Sequence, residues 1–513
     1  MHLLGGLSLG ASPWLAGCGD DGAGSGSSSS SGPGGSGSGG TGAGTTMLPG
    51  SSGGASSSGM ADGTASTGEP TGCDAGWWLC GNYGPVEEHE AFDLAVEGTL
   101  PPALEGLYVR NGPNPWWGVS DHWFLGDGMV HGLQLSGGQA SWYRARYIET
   151  SVLGVPLGEG GPPTPTNHQA NTSIISHAGR LLTLAEVGLP YELSASDLST
   201  LGTHDFGGQL AGAMTAHPKV DPQTGEMVFF GYELFDPSVL VHRVDAAGAL
   251  VNTEVLPLPA AAMIHDFQLT QNHAVFLDMP ILFDLDLAIA GEGLPFSWEP
   301  DNGARIGILP RNGVAADVVW IDIDVGFVFH TYNAYEDAQG NVVLDTVWYP
   351  QMWVEGPNSF SVDGVVRRYT VDPVRGTVTE EVVSELQAEF PKIDPRRQGL
   401  PYRWGYGVSN GGSRVPGKIP PPTALVKHDM ERGTSESYAI GGGLHLDEVL
   451  FVPDSPGAGE DEGWLLGYAY DPARDDSRLL VLDATSIAAG PVASIALPQR
   501  VPHGFHGTWV PSA

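Results

Sequence analysis

The chain has 513 residues, of which 75 are glycine (about 15%, against a usual ~7%), with 41% hydrophobic and 16% charged side chains. Its 59 acidic and 22 basic side chains give a formal net charge of −37, which argues against nucleic acid or anionic lipid headgroups as main partners, since both need a basic surface. Three cysteines exclude a disulfide-rich scaffold and a cysteine-based zinc cluster, and no run approaches the ~20 apolar residues that span a bilayer.

Residues 1–18 read as a lipoprotein-type signal. Met1 to Gly17 is short and apolar, and it ends in Leu15-Ala16-Gly17-Cys18, which resembles a bacterial lipobox, whose cysteine becomes the lipidated N-terminus after cleavage. The segment departs from the usual pattern in carrying His2 but no Lys or Arg ahead of the apolar stretch. Residues 19–72 are almost entirely Gly, Ser, Thr and Ala; they cannot bury enough apolar surface to offset the entropy of ordering, and so read as a disordered linker. A Gly/Ser coil of that length has a root-mean-square span of roughly 40 Å, which suits a tether. The expected location is the bacterial cell envelope, with the protein lipid-anchored through Cys18 and extracytoplasmic; a cytoplasmic protein is the alternative. Cys73 and Cys80 flank Trp77-Trp78. In an exported protein they are placed to form a small disulfide loop, with two free thiols as the alternative.

From residue 73 to 513 the composition is globular. Short β-type runs recur, among them Gly106–Arg110, Leu181–Ala185, Met227–Gly231, Ala274–Asp278, Val318–Ile323, Val342–Asp345, Trp464–Tyr468 and Leu479–Asp483. Turn signals separate them, such as Asp221-Pro-Gln-Thr-Gly225, Asp245-Ala-Ala-Gly248 and Asp372-Pro-Val-Arg-Gly376. Many short strands with polar turns predict an all-β protein. The length exceeds one sandwich and fits a propeller of six to eight four-stranded blades of ~60 residues. No crisp repeat fixes the blade number.

Four of the sixteen histidines stand in distinctive contexts: His217 in Thr215-Ala-His-Pro-Lys-Val-Asp-Pro222, His265 in Met263-Ile-His-Asp-Phe267, His330 in Phe329-His-Thr-Tyr-Asn333, and His506 in Pro502-His-Gly-Phe-His-Gly507. At ~60 residues per blade their separations are about one, one and three blades, so that histidines at the inner ends of four blades would converge on the propeller axis. Imidazole suits Fe, Cu, Zn or Ni. Any one of these histidines taken alone reads better as a satisfied structural residue.

Together the contexts resemble the carotenoid cleavage oxygenase family over about residues 87 to 513. The resemblance rests on Leu104-Glu-Gly-Leu-Tyr-Val-Arg-Asn-Gly-Pro-Asn-Pro115, His122-Trp-Phe-Leu-Gly-Asp-Gly-Met-Val-His-Gly132, His217-Pro-Lys-Val-Asp-Pro-Gln-Thr-Gly-Glu226, Asn333-Ala-Tyr-Glu336, Glu389-Phe-Pro-Lys-Ile-Asp394 and Gly504-Phe-His-Gly507. It implies a seven-bladed β-propeller with the active site on the axis under a loop and helix cap. It implies Fe(2+) held by His217, His265, His330 and His506, with His503 a rival for the last place. It also implies three glutamates that each hydrogen-bond one histidine. These match Glu186, Glu389 and Glu448, with Asp447 or Glu436 open in place of the last; Glu336 reads as structural. Such carboxylates orient the imidazoles and balance the cation's charge.

The resemblance further implies a non-heme dioxygenase that uses O2 to cleave a conjugated C=C bond of a carotenoid or apocarotenoid into two carbonyl products. Trp116, Trp117, Trp123, Phe283, Phe296, Trp298, Trp348, Trp353 and Trp404 are candidates for an apolar substrate tunnel. A stilbene-cleaving enzyme of the same family is an alternative. It would use a tyrosine and a lysine near the substrate's phenol, and the chain has only four lysines, Lys219, Lys392, Lys418 and Lys427. An isomerase offshoot and a non-catalytic propeller binding module complete the set.

Overall fold

Outer strands in this chain alternate between exposed and buried side chains, as in Leu250–Pro257, whereas every residue of Gly106–Pro113 is buried. A strand at a sheet edge faces water on one side, and one packed between neighbouring sheets faces it on neither. The computed structural model describes residues 76–512 except 157, 158, 160–163, 234, 236, 291, 292, 355, 357–362 and 412–418. Chain contacts define two units, Met1–Ser66 and Thr67–Ala513, and all described residues belong to the second. The signal-type segment 1–18, the linker 19–72, Cys18 and Cys73 lie outside the described residues; Cys80 is disulfide-bonded.

The strands form a seven-bladed β-propeller. Blades two to six open with the strands Ser173–His177, Lys219–Val220, Gln268–Leu269, Phe327–Glu336 and Glu389–Lys392, each followed by three more in sequence order. Blade seven opens with His445–Leu446 and Leu450–Pro453, both pairing Gly463–Asp471. Blade one runs in the order His89–Leu94, Gln139–Tyr147, Gly128–Ser136, Gly106–Pro113 and Gly507–Pro511. The ring is therefore closed twice. The C-terminal strand forms the inner edge of blade one, and Val96–Gly98 adds an outer strand to blade seven by pairing Pro491–Ala496.

The predicted runs sit within or one residue off observed strands, for example Met227–Glu233, His273–Asp278 and Asp476–Asp483. The predicted turns close as expected. Asp221, Asp245 and Asp372 each accept the backbone N–H two residues on, at 2.8, 3.0 and 3.0 Å, the Asx turn that favours this residue. Gly248 and Gly376 follow at φ of 88° and 66°, a left-handed conformation that costs glycine nothing.

The core lies between blades. Phe230, Phe267 and Phe276 pack between blades three and four, with Phe267 and Phe276 stacked at 5.4 Å. Blade four also carries an insertion, a ribbon of Ile281–Phe283 and Phe296–Trp298 with the single α-helix among the described residues, Leu285–Ala290. The ribbon joins one apolar cluster with Met263, Phe329, Met352 and Trp353. No helix among the described residues is long and apolar enough to cross a membrane.

Candidate metal centre

Each of the four predicted histidines stands at the inner edge of its blade. His217 and His265 precede the first strands of blades three and four, His330 lies in the first strand of blade five, and His506 precedes the C-terminal strand of blade one. Pro218 restricts His217 to extended backbone, because its ring clashes with a helical residue before it. His506 is fixed by its N–H to the Thr172 carbonyl at 3.2 Å and by its own carbonyl, which accepts from Asn111 N–H at 3.1 Å. Blades six and seven present carboxylates in the corresponding places, Glu389 at the start of its strand and Glu448 just after His445–Leu446.

The structure brings the four imidazoles together, with one ligand atom of each lying within 4.8 Å of the others. Nε2 of His217 is 3.0 Å from Nε2 of His265, and Nε2 of His330 is 3.2 Å from Nε2 of His506. The Nδ1 atoms point outward to the glutamates: His265 to Glu186 at 3.1 Å, His330 to Glu389 at 2.7 Å and His506 to Glu448 at 2.7 Å. His217 has no carboxylate partner among the described residues. With both Nδ1 protons committed to carboxylates, His330 and His506 turn lone pairs toward each other. That contact is repulsive unless a cation shares it. A separation of about 3 Å is the edge expected between neighbouring ligands with metal–nitrogen bonds of ~2.1 Å. The donor set thus fits a first-row transition ion of the kind imidazole favours.

Burial pulls the His217 pKa well below the usual range, helped by the three imidazoles beside it. Burial likewise brings His506 down to about 4, against the opposing pull of Glu448. Neutral imidazole is the form that binds a metal. For Glu448, burial is outweighed by Lys392 and His506, which bring its carboxyl down to about 2. For Glu389, burial is outweighed by His330 and by hydrogen bonds, and its pKa is lowered. Both carboxylates are therefore anions at neutral pH.

The residues left as sequence alternatives take other places in the structure. His503 lies outside the four-imidazole group and donates through Nδ1 to Asp447 at 2.6 Å. Asp447 also accepts from the buried Arg110. Glu436 is exposed on the outer strand of blade six. Glu336 accepts from His273 Nδ1 at 3.0 Å and from Thr270, which ties blades four and five together.

The tunnel candidates divide. Trp116 and Trp117 are 46% and 59% exposed, Trp348 lies under Arg367 at 3.5 Å and Trp404 under Lys427 at 4.0 Å. Phe283, Phe296, Trp298 and Trp353 share the cluster that contains Phe329. Trp123 packs on Phe505 at 4.7 Å. The aromatic rings nearest the imidazoles are two others: Phe329, 5.5 Å from His265, and Phe390, 5.4 Å from His506 and 5.6 Å from His330. Both stand beside a proposed site residue, Phe329 before His330 and Phe390 after Glu389, and adjacency was the signal that could have found them.

Residues 83–511 match the family model described as retinal pigment epithelial membrane protein. A carotenoid cleavage oxygenase of Mycobacterium tuberculosis is 36% identical over 504 residues, covering 85% of this chain and 97% of that protein. The lignostilbene dioxygenase of Pseudomonas brassicacearum superposes with a TM-score of 0.76 at 32% identity, covering 85% of this chain and 98% of the other. Cobalt-substituted ACO of Synechocystis gives 0.75 at 30% identity, covering 83% and 96%.

Proposed function

This chain belongs to the carotenoid oxygenase family and is an oxidoreductase of the dioxygenase type, and on that premise we propose that it cleaves a conjugated C=C bond of a carotenoid or apocarotenoid. His217, His265, His330 and His506 would hold one Fe(2+), with Glu186, Glu389 and Glu448 behind three of them. The observation that carries this reading is the convergence of four imidazoles on one point, three of them backed by carboxylates. Bound there, the ion would supply O2 activation beside the alkene. The chain's own residues do the rest. The glutamates fix the ring orientations by holding the Nδ1 protons. Phe329 and Phe390 set apolar rings beside the imidazoles, which suits a hydrocarbon substrate.

A stilbene is the second reading, favoured by the likeness to a lignostilbene dioxygenase. The lysines weigh against it. Lys219, Lys392 and Lys427 are each engaged by a carboxylate, at 2.7, 2.8 and 2.8 Å, and Lys418 lies outside the described residues. The deciding experiment incubates the iron-loaded protein with carotenoid, apocarotenoid and stilbene panels under ¹⁸O2 and identifies products by mass. Two labelled carbonyl fragments from a polyene, after control for exchange with water, support the proposal. Cleavage of stilbenes alone supports the second reading, and an O2-independent rearrangement supports an isomerase.

We also propose that Cys18 carries lipid and tethers the domain to the cell envelope. Mass spectrometry of the native N-terminus tests this, and an unmodified Met1 in the cytosol would overturn it.

A further inference from the structure

Behind four imidazoles, which are neutral when they ligate a metal, three carboxylates leave an excess of negative charge that the rest of the site must handle. Glu186 and Glu389 are supported by neutral groups, the hydroxyl of Tyr232 on Glu186 at 3.3 Å and that of Tyr349 on Glu389. Glu448 differs. Its Oε1 accepts from His506 and also takes the ammonium of Lys392 at 2.8 Å, and its Oε2 accepts the Gly507 N–H at 2.7 Å. A second ammonium, Lys219, lies 2.7 Å from Asp266. Asp266 in turn accepts from the backbone and side chain of Thr331, next to His330, at 3.0 and 2.7 Å.

Among the described residues, and leaving aside the mutually cancelling Asp447–Arg110 pair beside Glu448, the ionic groups bonded to the imidazoles, to their carboxylates or to the residues adjoining them are thus four carboxylates (Glu186, Asp266, Glu389, Glu448) and two ammonium groups (Lys219, Lys392). Four negative and two positive charges leave −2, which equals and opposes the charge of a divalent ion. Lys219 cancels Asp266 and Lys392 cancels Glu448. Blade six supplies both poles of this arrangement from one four-residue strand, Glu389 toward His330 and Lys392 toward Glu448.

We propose that Lys392 is a positioning residue that sets the charge around the metal at −2 and so matches the centre to a divalent rather than a trivalent ion. This rests on the iron reading above. Removing the ammonium while Glu448 remains would leave −3 and favour the ferric state; removing the Glu448 charge while Lys392 remains would leave −1 and disfavour it.

The test is an anaerobic mediated redox titration of the iron-loaded protein, in which Fe(2+) gives Fe(3+) plus one electron and the mediator takes that electron. The ferric signal in electron paramagnetic resonance gives the ferric-to-ferrous ratio at a fixed solution potential. Lys392→Met should raise that ratio about 10-fold and Glu448→Gln should lower it about 10-fold, as for one unit charge acting across several ångströms of partly buried protein. The double variant Lys392→Met/Glu448→Gln restores −2 and should return within about threefold of the parent, as should Lys392→Arg. A ratio unchanged in a Lys392→Met protein that holds iron like the parent overturns the proposal, as does a shift of both single variants in one direction. If Lys392→Met does not fold, Glu448→Gln and Lys392→Arg decide in the same way. A parent protein that takes up no iron would overturn the metal reading instead.

Discussion

Two carboxylate–imidazole pairs stand side by side in this molecule, built from neighbouring residues. Asp447 holds His503 at 2.6 Å and Glu448 holds His506 at 2.7 Å. Each carboxylate also meets a cation, Arg110 in one case and Lys392 in the other. What differs is the far side of the ring. His503 faces Tyr83, His445 and Tyr470 at ring separations of 4.8, 5.6 and 6.2 Å. His506 faces His217 and His330 at 4.5 and 4.9 Å. A carboxylate-backed histidine is therefore not by itself a metal ligand. Convergence of the opposite nitrogens is what makes His506 a candidate ligand, and the Asp447 pair instead helps join blade one, blade seven and the C-terminal segment.

The sharpest way to break this contrast is to truncate the two rings separately. His506→Ala should abolish activity and remove nearly all bound iron, while His503→Ala should keep its iron; metal analysis of the purified proteins checks this, and the reverse pattern would overturn the distinction. Next in size, Arg110→Met leaves Asp447 buried without its cation and should cost about 3–5 kcal/mol of stability in denaturant unfolding, with one iron still bound by the protein that folds. Glu186→Gln and Glu389→Gln should fold normally and weaken iron binding by about 10–100-fold; affinities equal to the parent would remove their orienting role.

A further effect, on stability alone, concerns histidines away from the axis. Burial brings His168, His242 and His428 down to about 4. Between pH 6.5 and 4 the unfolded chain binds protons there that the folded one does not. Stability is thus fully present above pH 6.5 and is lost as pH falls toward 4, by about 1.4 kcal/mol per pH unit for each histidine at mid-window. Urea midpoints across that range test the sign.

The strands and Asp turns were legible because alternation and turn chemistry are local. The separations between the four histidines also anticipated their blades, since His217, His265 and His330 lie in consecutive blades and His506 in blade one, three further round the ring. The count of seven was not legible from periodicity, because blade four carries the 281–298 ribbon and blade one takes strands from both ends of the domain. The choice among Asp447, Glu448 and Glu436 depended on contacts across blades that no spacing encodes. The backbone of Phe390, the residue after Glu389, was not legible either: it sits at φ 53°, a state that sequence pattern does not announce for a bulky residue.

The C-terminal strand has a consequence for the life of the site. Gly507–Pro511 is the clasp of the ring, and the residue just before it is the fourth imidazole. An unclasped propeller would offer three imidazoles, and a clasped one four. An ion that prefers four must then hold the clasp shut by mass action, in proportion to the logarithm of its concentration over its dissociation constant. Were an ion bound by all four, its loading and the seating of this strand would share one equilibrium, so that withdrawing the ion would loosen the C-terminal edge of blade one before the pairing of Val96–Gly98 with blade seven.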